Sequence, residues 1–449
     1  MRSTLIALSL AIGCHQGFCP QACSQSPTSI DDRATHQQVG VIEIHGDHPM
    51  QINAFCLNGQ GQIVAACGDG PGEIRISDDQ GKVLRSWQID VKPEAVNVAP
   101  DGSVLVGGEG KLFRYDSQGE QLDVADSPHA QRLRQGSDSL RKAAVEYLSR
   151  RTDPIGSRIA MYTSVIEQLE ARAAKGQLNA AEERMLETLP RTLDRYQQQL
   201  EARGGEGDDA NDGPSEEAIQ ERIQYLIRSK MRISSITSSN DHVFVATRGL
   251  EGYGYDVWKM NQDFGQAQVI VTGLRGCCGQ MDVQCCPEGL FVAENSRDRV
   301  VRFDTDGNEI IHWGKSDRTG IDGFTSCCNP MNVCFDKDGY VYTAEASVGR
   351  IKRFDSDGKL VDFVGDVDLV PGCKNVSIAV SPVNGNVYML DLTRNHIKLM
   401  QPKPAGAGPN RDGGNEPIDQ KSAQRAKSQQ RSLVGGIFSL LGIGGGSDE

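Results

Sequence analysis

Apolar positions along this chain of 449 residues follow two periods in succession. In 40–125 and again in 232–400 they come in runs of four or five, often alternating with polar residues and punctuated by Gly, Asn and Asp. Period two over so few residues predicts short strands joined by tight turns. Between these regions, from 128 to about 229, apolar residues fall three and four apart. Leu140, Val145 and Leu148 share one face; so do Leu178, Met185, Leu189, Leu193, Tyr196 and Leu200. That period predicts three or four amphipathic helices, arranged as a hairpin or small bundle or as a free coiled coil. Ser137, Asn179 and Ser215 stand where N-caps belong, and Pro190 is placed to kink or split the third helix.

The strand regions repeat. Cys277-Cys278-Gly279-Gln280-Met281-Asp282-Val283 returns as Cys327-Cys328-Asn329-Pro330-Met331-Asn332-Val333. Each copy continues with a Gly turn (Gly289, Gly339), a strand ending in a carboxylate (Glu294, Glu345) and a third strand (Arg299 to Phe303, Arg350 to Phe354). Each then has an Asp-x-Asp-Gly turn (Asp304 to Gly307, Asp355 to Gly358) and a last apolar run. A four-strand unit repeated at a fixed period predicts a propeller blade. Asn53 to Ile89 and Ala95 to Val124 read as blades 1 and 2, and Arg232 to Val271 as a degenerate blade 3. Val376 to Met400 reads as a sixth blade lacking its last strand. Gly40 to Ile44 is a strand without a blade. An open ring would leave two raw sheet edges, so this strand is expected to complete blade 6. The expected fold class is an all-β six-bladed propeller with an inserted α-helical hairpin or bundle.

On the Gly turns, the Val292-Ala293-Glu294-Asn295 stretch and the Arg-(Val/Ile)-x-Arg-Phe-Asp-x-Asp-Gly stretch, the chain resembles NHL-repeat six-bladed propellers over about 39–125 and 231–401. Such a fold hosts many functions. The paired cysteines, blade 3 and the helical insert depart from the pattern. The helical insert, the acidic charge and the lack of a catalytic motif favour a binding or scaffold module. Its enzymatic alternative is a metal-dependent hydrolase or lyase of the gluconolactonase or peptidyl-hydroxyglycine lyase type, using calcium or zinc. Eight-bladed quinoprotein dehydrogenases carry a vicinal Cys pair, but this chain lacks their blade number and Trp pattern.

Composition adds direction. Fifty glycines suit a turn-rich β protein, and a net charge of −13 argues against a nucleic-acid partner. Met1-Arg2 followed by apolar Thr4 to Gly13 reads as an export signal. Ala11-Ile12-Gly13-Cys14 resembles a bacterial lipobox with Cys14 as the lipidated residue, although Leu10 sits one place early; a plain secretory signal is the other reading. The expected organisation is a signal at 1–13, a flexible tether at 14–38 and blades 1 and 2 with the closing strand at 39–127. A helical insert at 128–230, blades 3 to 6 at 231–401 and a disordered tail at 402–449 follow. The protein is expected to be exported, periplasmic or membrane-tethered, with membrane contact only through the N-terminal lipid.

Aligning the blades by their Gly turns puts Cys277, Cys327 and Cys373 at one position, with Cys278 and Cys328 alongside. Blade 1 has Pro49 there, with His48 adjacent. The chain drops toward the axis at this point, so these residues are expected around one channel mouth. The ends of the second strands form another ring at that mouth: Cys67, Gly108, Thr247, Glu294, Glu345 and Asp391. Two chemistries fit. A vicinal disulfide is awkward, because adjacent Cα atoms are about 3.8 Å apart against a usual minimum of about 4.4 Å; a cross-blade bond such as Cys277 to Cys327 is easier. Thiolates with an imidazole suit zinc, copper(I) or an iron–sulfur cluster, and Glu294, Glu345 and Asp391 suit calcium. Cys334 aligns with Cys56 as a small core residue. Arg299, Arg302, Arg350 and Arg353 are expected to pair with Asp304 and Asp355. No nucleophile-elbow, P-loop or dinucleotide motif occurs in the needed context. The expected partner is a protein or small molecule at the mouth, with the helical insert as lid or platform.

Overall fold

The computed structural model describes residues 33–152, 154–203, 214–250, 254–318, 320–325 and 328–404. The expected signal, most of the tether, Cys14, Cys327 and nearly all of the tail lie outside the described residues. The described residues form six four-stranded antiparallel sheets and five α-helices. Blade 1 comprises β2 (Ile52–Leu57), β3 (Ile63–Cys67), β4 (Gly72–Ser77) and β5 (Val83–Ile89). Blade 2 comprises β6 (Ala95–Val98), β7 (Val104–Gly108), β8 (Lys111–Tyr115) and β9 (Gln121–Asp126). Blade 3, after the helices, comprises β10 (Ile233–Ser238), β11 (His242–Arg248), β12 (Tyr255–Asn261) and β13 (Gln268–Leu274). It is a full blade despite its degenerate sequence. Blade 4 comprises β14 (Asp282–Cys286), β15 (Gly289–Glu294), β16 (Arg299–Phe303) and β17 (Glu309–Trp313). Blade 5 comprises β18 (Asn332–Phe335), β19 (Val341–Glu345), β20 (Arg350–Phe354) and β21 (Leu360–Asp366). Blade 6 comprises β22 (Ile378–Val380), β23 (Val387–Asp391) and β24 (His396–Pro402), closed by β1 (His36–Ile42) as its outer strand. β1 pairs antiparallel with β24 from His36↔Pro402 to Ile42↔Ile397, with an irregularity between Gln38 and Gly40. The protein is thus a six-bladed β-propeller with a helical insert.

The turn chemistry repeats with the blades. Asn58, Asp78, Asp116, Asp304, Asp336 and Asp355 each accept, through Oδ1, the N–H groups two and four residues on, at 2.8–3.1 Å. Three residues after each stands a glycine with φ between 77° and 93°, a left-handed conformation that costs glycine little. Asp304 and Asp355 are therefore turn-formers, not partners of the third-strand arginines. Those arginines pair elsewhere: Arg299 with Glu294, Arg302 with Asp357, Arg350 with Asp366 and Arg353 with Asp362.

Six hydrophobic clusters fill the interfaces between adjacent blades. Cys56 and Cys334 pack against two of them, and burial pushes the Cys56 thiol up to about 12. Nearer the axis the inner strands cannot pair with each other, so polar side chains lace them together. Asn53 donates to Pro93 O at 2.9 Å. Glu94 accepts from Ile233 N at 2.9 Å, Ser235 Oγ from Val283 N at 2.9 Å and Asp282 from Val333 N at 2.9 Å. Asn332 accepts from Val376 N at 3.2 Å, and Ser377 Oγ from Phe55 N at 3.4 Å. One such clamp crosses every blade junction. It satisfies a backbone N–H at five junctions and a carbonyl at the junction of blades 1 and 2 that would otherwise be buried unpaired. Across the axis, Asn97 Nδ2 donates to Gln284 Oε1 at 2.8 Å, narrowing the channel.

The helices are α1 (Pro128–Gln135), α2 (Ser137–Thr152), α3 (Pro154–Ala173), α4 (Ala180–Arg203) and α5 (Glu216–Lys230). Asn179 caps α4 through the N–H groups of Ala181 and Glu182, both at 3.0 Å, and Glu182 reaches back to Asn179 N. This reciprocal arrangement is a capping box. Ser215 caps α5. Ser137 opens α2 as its first residue. Pro190 does not split a helix, because α4 runs through it. No described helix is long and apolar enough to cross a membrane. The insert is rooted by His129 on α1, buried, with Nδ1 accepting from Ser127 Oγ at 2.6 Å and Nε2 donating to Lys230 O at 3.1 Å.

Candidate thiol site at the channel mouth

Cys277, Cys278, Cys328 and Cys373 all sit in the segments that lead from an outer strand of one blade to the inner strand of the next. The repeat therefore delivers a thiol from the starts of blades 4, 5 and 6 to neighbouring points on one face. Cys277 N–H is held by Asn295 Oδ1 at 2.7 Å, just after the end of β15. Cys278 has φ 56° and Gly279 φ 77°. The left-handed region is uncommon for a cysteine and is held only where surroundings dictate it. Here it accompanies two consecutive thiols that meet. The Sγ separations are 3.3 Å for Cys277–Cys278, 3.6 Å for Cys278–Cys328 and 3.0 Å for Cys277–Cys328. These three thiols lie within 4.8 Å of one another. The described cysteines are free thiols.

Cys373 joins from blade 6. Hydrogen bonds first from Cys328 and then from Cys278 draw its pKa down to about 6, against the opposing effect of burial. The Cys328 thiol is correspondingly raised, chiefly by that bond to Cys373 and then by burial. Burial, with the neighbouring Cys277 thiol adding to it, pushes Cys278 up to about 12. Cys278, Cys328 and Cys373 therefore titrate as one coupled set.

The remaining expected site residues lie apart from these thiols. His48 is exposed, and its carbonyl accepts from Arg75 at 2.9 Å; it is not gathered with the cysteines. Glu294 is buried between Arg297 at 2.9 Å and Arg299 at 2.5 Å, and also accepts from Arg275 N at 2.9 Å. Glu345 pairs with Lys352 at 2.8 Å and accepts from Thr325 N and Oγ at 2.8 and 2.7 Å. Asp391 accepts from Val370 N and pairs with Arg394, both at 3.3 Å. Each carboxylate thus fastens the segment arriving from the previous blade. In this structure their oxygens are engaged by cations, N–H groups and the Thr325 hydroxyl.

A cavity of about 300 Å³ opens over Cys278 and Cys373, with Lys92, Glu94, Arg232 and Lys374 in its wall. None of its described lining residues belongs to α1–α5. The cations were missed in the sequence because they stand at unequal offsets in different blades. The axial clamps had a signal: Asp282 and Asn332 occupy matching places in the two written-out copies.

No family pattern matches the sequence, and no curated protein matches it either. Among solved structures, a catalytically inactive virginiamycin B lyase from Staphylococcus aureus with quinupristin is similar at 11% identity and a TM-score of 0.42, over 82% of this chain and 88% of that one. A gluconolactonase from Xanthomonas campestris is similar at 10% identity and a TM-score of 0.41, over 84% and 98%. The Swd1 β-propeller domain from Myceliophteria thermophila is similar at 12% identity and a TM-score of 0.39, over 82% and 100%. At such identities and scores, none of those proteins' activities transfers to this chain.

Proposed function

We propose that this propeller is a binding module whose channel mouth holds one thiophilic metal ion, zinc or copper(I), through Cys277, Cys278, Cys328 and Cys373. The observation that carries the reading is the convergence of three thiols from two blades at 3.0, 3.3 and 3.6 Å. Tetrahedral zinc with bonds of about 2.3 Å spaces its sulfurs about 3.8 Å apart, so the three pairs need to part by less than about 1 Å. Soft thiolates favour zinc or copper(I) over hard ions. An iron–sulfur cluster with four cysteine ligands spreads them over separate irons, whereas three mutually close thiols suit one ion. Four thiolates would close the site, so the metal would serve binding or structure; it has no open position for hydrolysis. The hydrolase or lyase reading needed the carboxylate ring, which is committed to ion pairs.

The test is metal analysis of protein purified anaerobically, with thiols counted before and after reduction. The expected result is about one zinc or copper per chain, lost in Cys277→Ser and Cys328→Ser. Cobalt(II) substitution is expected to give the intense visible absorption of tetrahedral thiolate coordination. Metal-free protein that takes up none of these ions when reduced overturns the reading; if its mouth thiols are oxidised as purified, a cross-blade disulfide replaces it.

A further inference from the structure

We infer that the mouth also receives a small oxyanion-bearing molecule, with a carboxylate or phosphate head group, gripped by Arg232 and Arg248 where they converge on Gly279. This goes beyond the metal reading and does not depend on it. A Cβ placed on Gly279 would lie 3.3 Å from Arg232 Nη1 and 3.2 Å from Arg248 Nη2. Two guanidinium groups therefore meet at one point, directly after Cys278. Neither forms an ion pair among the described residues, and Arg248 Nε is buried without a hydrogen-bond partner. A buried donor left unpaired is costly, and a bound anion would satisfy it.

The surrounding charges point the same way. Arg232 and Lys374 line the cavity of about 300 Å³. Lys92 also lines it but is paired with Asp69 at 2.8 Å. The one carboxylate in the wall, Glu94, accepts from Ile233 N at 2.9 Å and Glu109 N at 3.2 Å. Burial, its largest influence, raises its pKa, against the opposing effect of those two N–H groups and of the nearby Arg232. Positive charge is thus gathered at one mouth of a chain whose net charge is −13. A guanidinium presents a planar fork that matches carboxylate and phosphate oxygens two at a time. The cavity lies at the small end of ligand pockets, which suits a small molecule and not a polymer.

The experiment is calorimetric titration of the full chain, reduced and metal-free, with inorganic phosphate and separately with citrate. Saturable 1:1 binding of either probe is expected, and whichever binds more tightly names the head group. Arg232→Gln and Arg248→Gln are each expected to weaken it at least tenfold, with Arg248→Lys falling between. Melting curves establish that each variant is folded; Arg248→Lys keeps the test open if Arg248→Gln is not. Cys277→Ser is expected to keep anion binding while losing the metal, so the two proposals fail separately. No saturable binding of either probe overturns the inference, as does equal affinity in wild type and both folded Gln variants. In that event the guanidiniums serve only to offset thiolate charge.

Discussion

The pairing of Lys352 with Glu345 decides whether the carboxylates near the mouth are structural. Both side chains are fully buried and 2.8 Å apart. Lys352 also donates to the carbonyls of Ile321 and Gly323, and its ammonium lies 4.3 Å from the centre of the Phe324 ring. Lys352→Met removes the charge and leaves Glu345 with only the N–H and hydroxyl of Thr325. Stripping one partner from a buried ion pair costs about 3–5 kcal/mol. Glu345→Gln, which strands the ammonium, should cost a similar amount. The double variant should cost no more than either single one. Glutamine still offers an oxygen to Thr325, and methionine fills the space beside Phe324. The cycle should therefore return a coupling energy of about 3 kcal/mol or more. Urea unfolding measures all four proteins. A loss of about 2 kcal/mol or more also lowers Tm by several degrees in a domain of this size. Additive single effects, or a Lys352→Met cost below about 1 kcal/mol, would refute a structural ion pair. Bound metal per chain should be unchanged in Glu345→Gln; its loss would restore Glu345 as a ligand.

Three further outcomes follow from the geometry. Asp282→Ala leaves Val333 N–H and the Asn332 amide without their shared acceptor. It should cost about 2–4 kcal/mol and speed hydrogen exchange at Val333; unchanged exchange there would count against the axial clamps. His129 is lowered to about 4, chiefly by burial, so it is neutral in the fold and titrates near 6.5 when unfolded. Its contribution is complete above pH 6.5 and is lost as pH falls toward 4. The loss at pH 5 is about 2 kcal/mol. Unfolding titrations at pH 7 and pH 5 should show this difference, and His129→Gln should remove it; a variant with the same pH dependence as wild type would assign the effect elsewhere. Deleting residues 1–42 removes β1 and bares the outer edge of β24, which should drive association through that edge. A stable monomer on size-exclusion chromatography would show that the closing strand is dispensable.

The blades were legible because each carries its own local chemistry. An Asx turn and a left-handed glycine mark the strand ends whatever lies around them, and strands of alternating pattern announce which face is buried. Blade 6 was short by one strand, and that shortage was enough to assign Gly40 to Ile44 to it. The helices were legible from their period, and Asn179 and Ser215 from capping preference. Of the two outcomes expected at Pro190, a split does not occur, because α4 continues through it.

The site was legible only in part. Equal offsets from equal turns must place Cys277 and Cys373 on one face, so periodicity could bring those cysteines together. It could not say which oxygens and cations would consume one another. Glu294, Glu345 and Asp391 share a position in the repeat, but their partners Arg299, Lys352 and Arg394 come from the following strand or turn, and only burial commits them. Nor could it reveal that Arg232 and Arg248, sixteen positions apart in sequence, turn to one point beside Gly279. Strand order, ring size and the gathering of thiols follow from local pattern repeated around an axis. Charge pairing and the space above the thiols depend on side chains meeting across blades, and only the tertiary structure decides which of them meet.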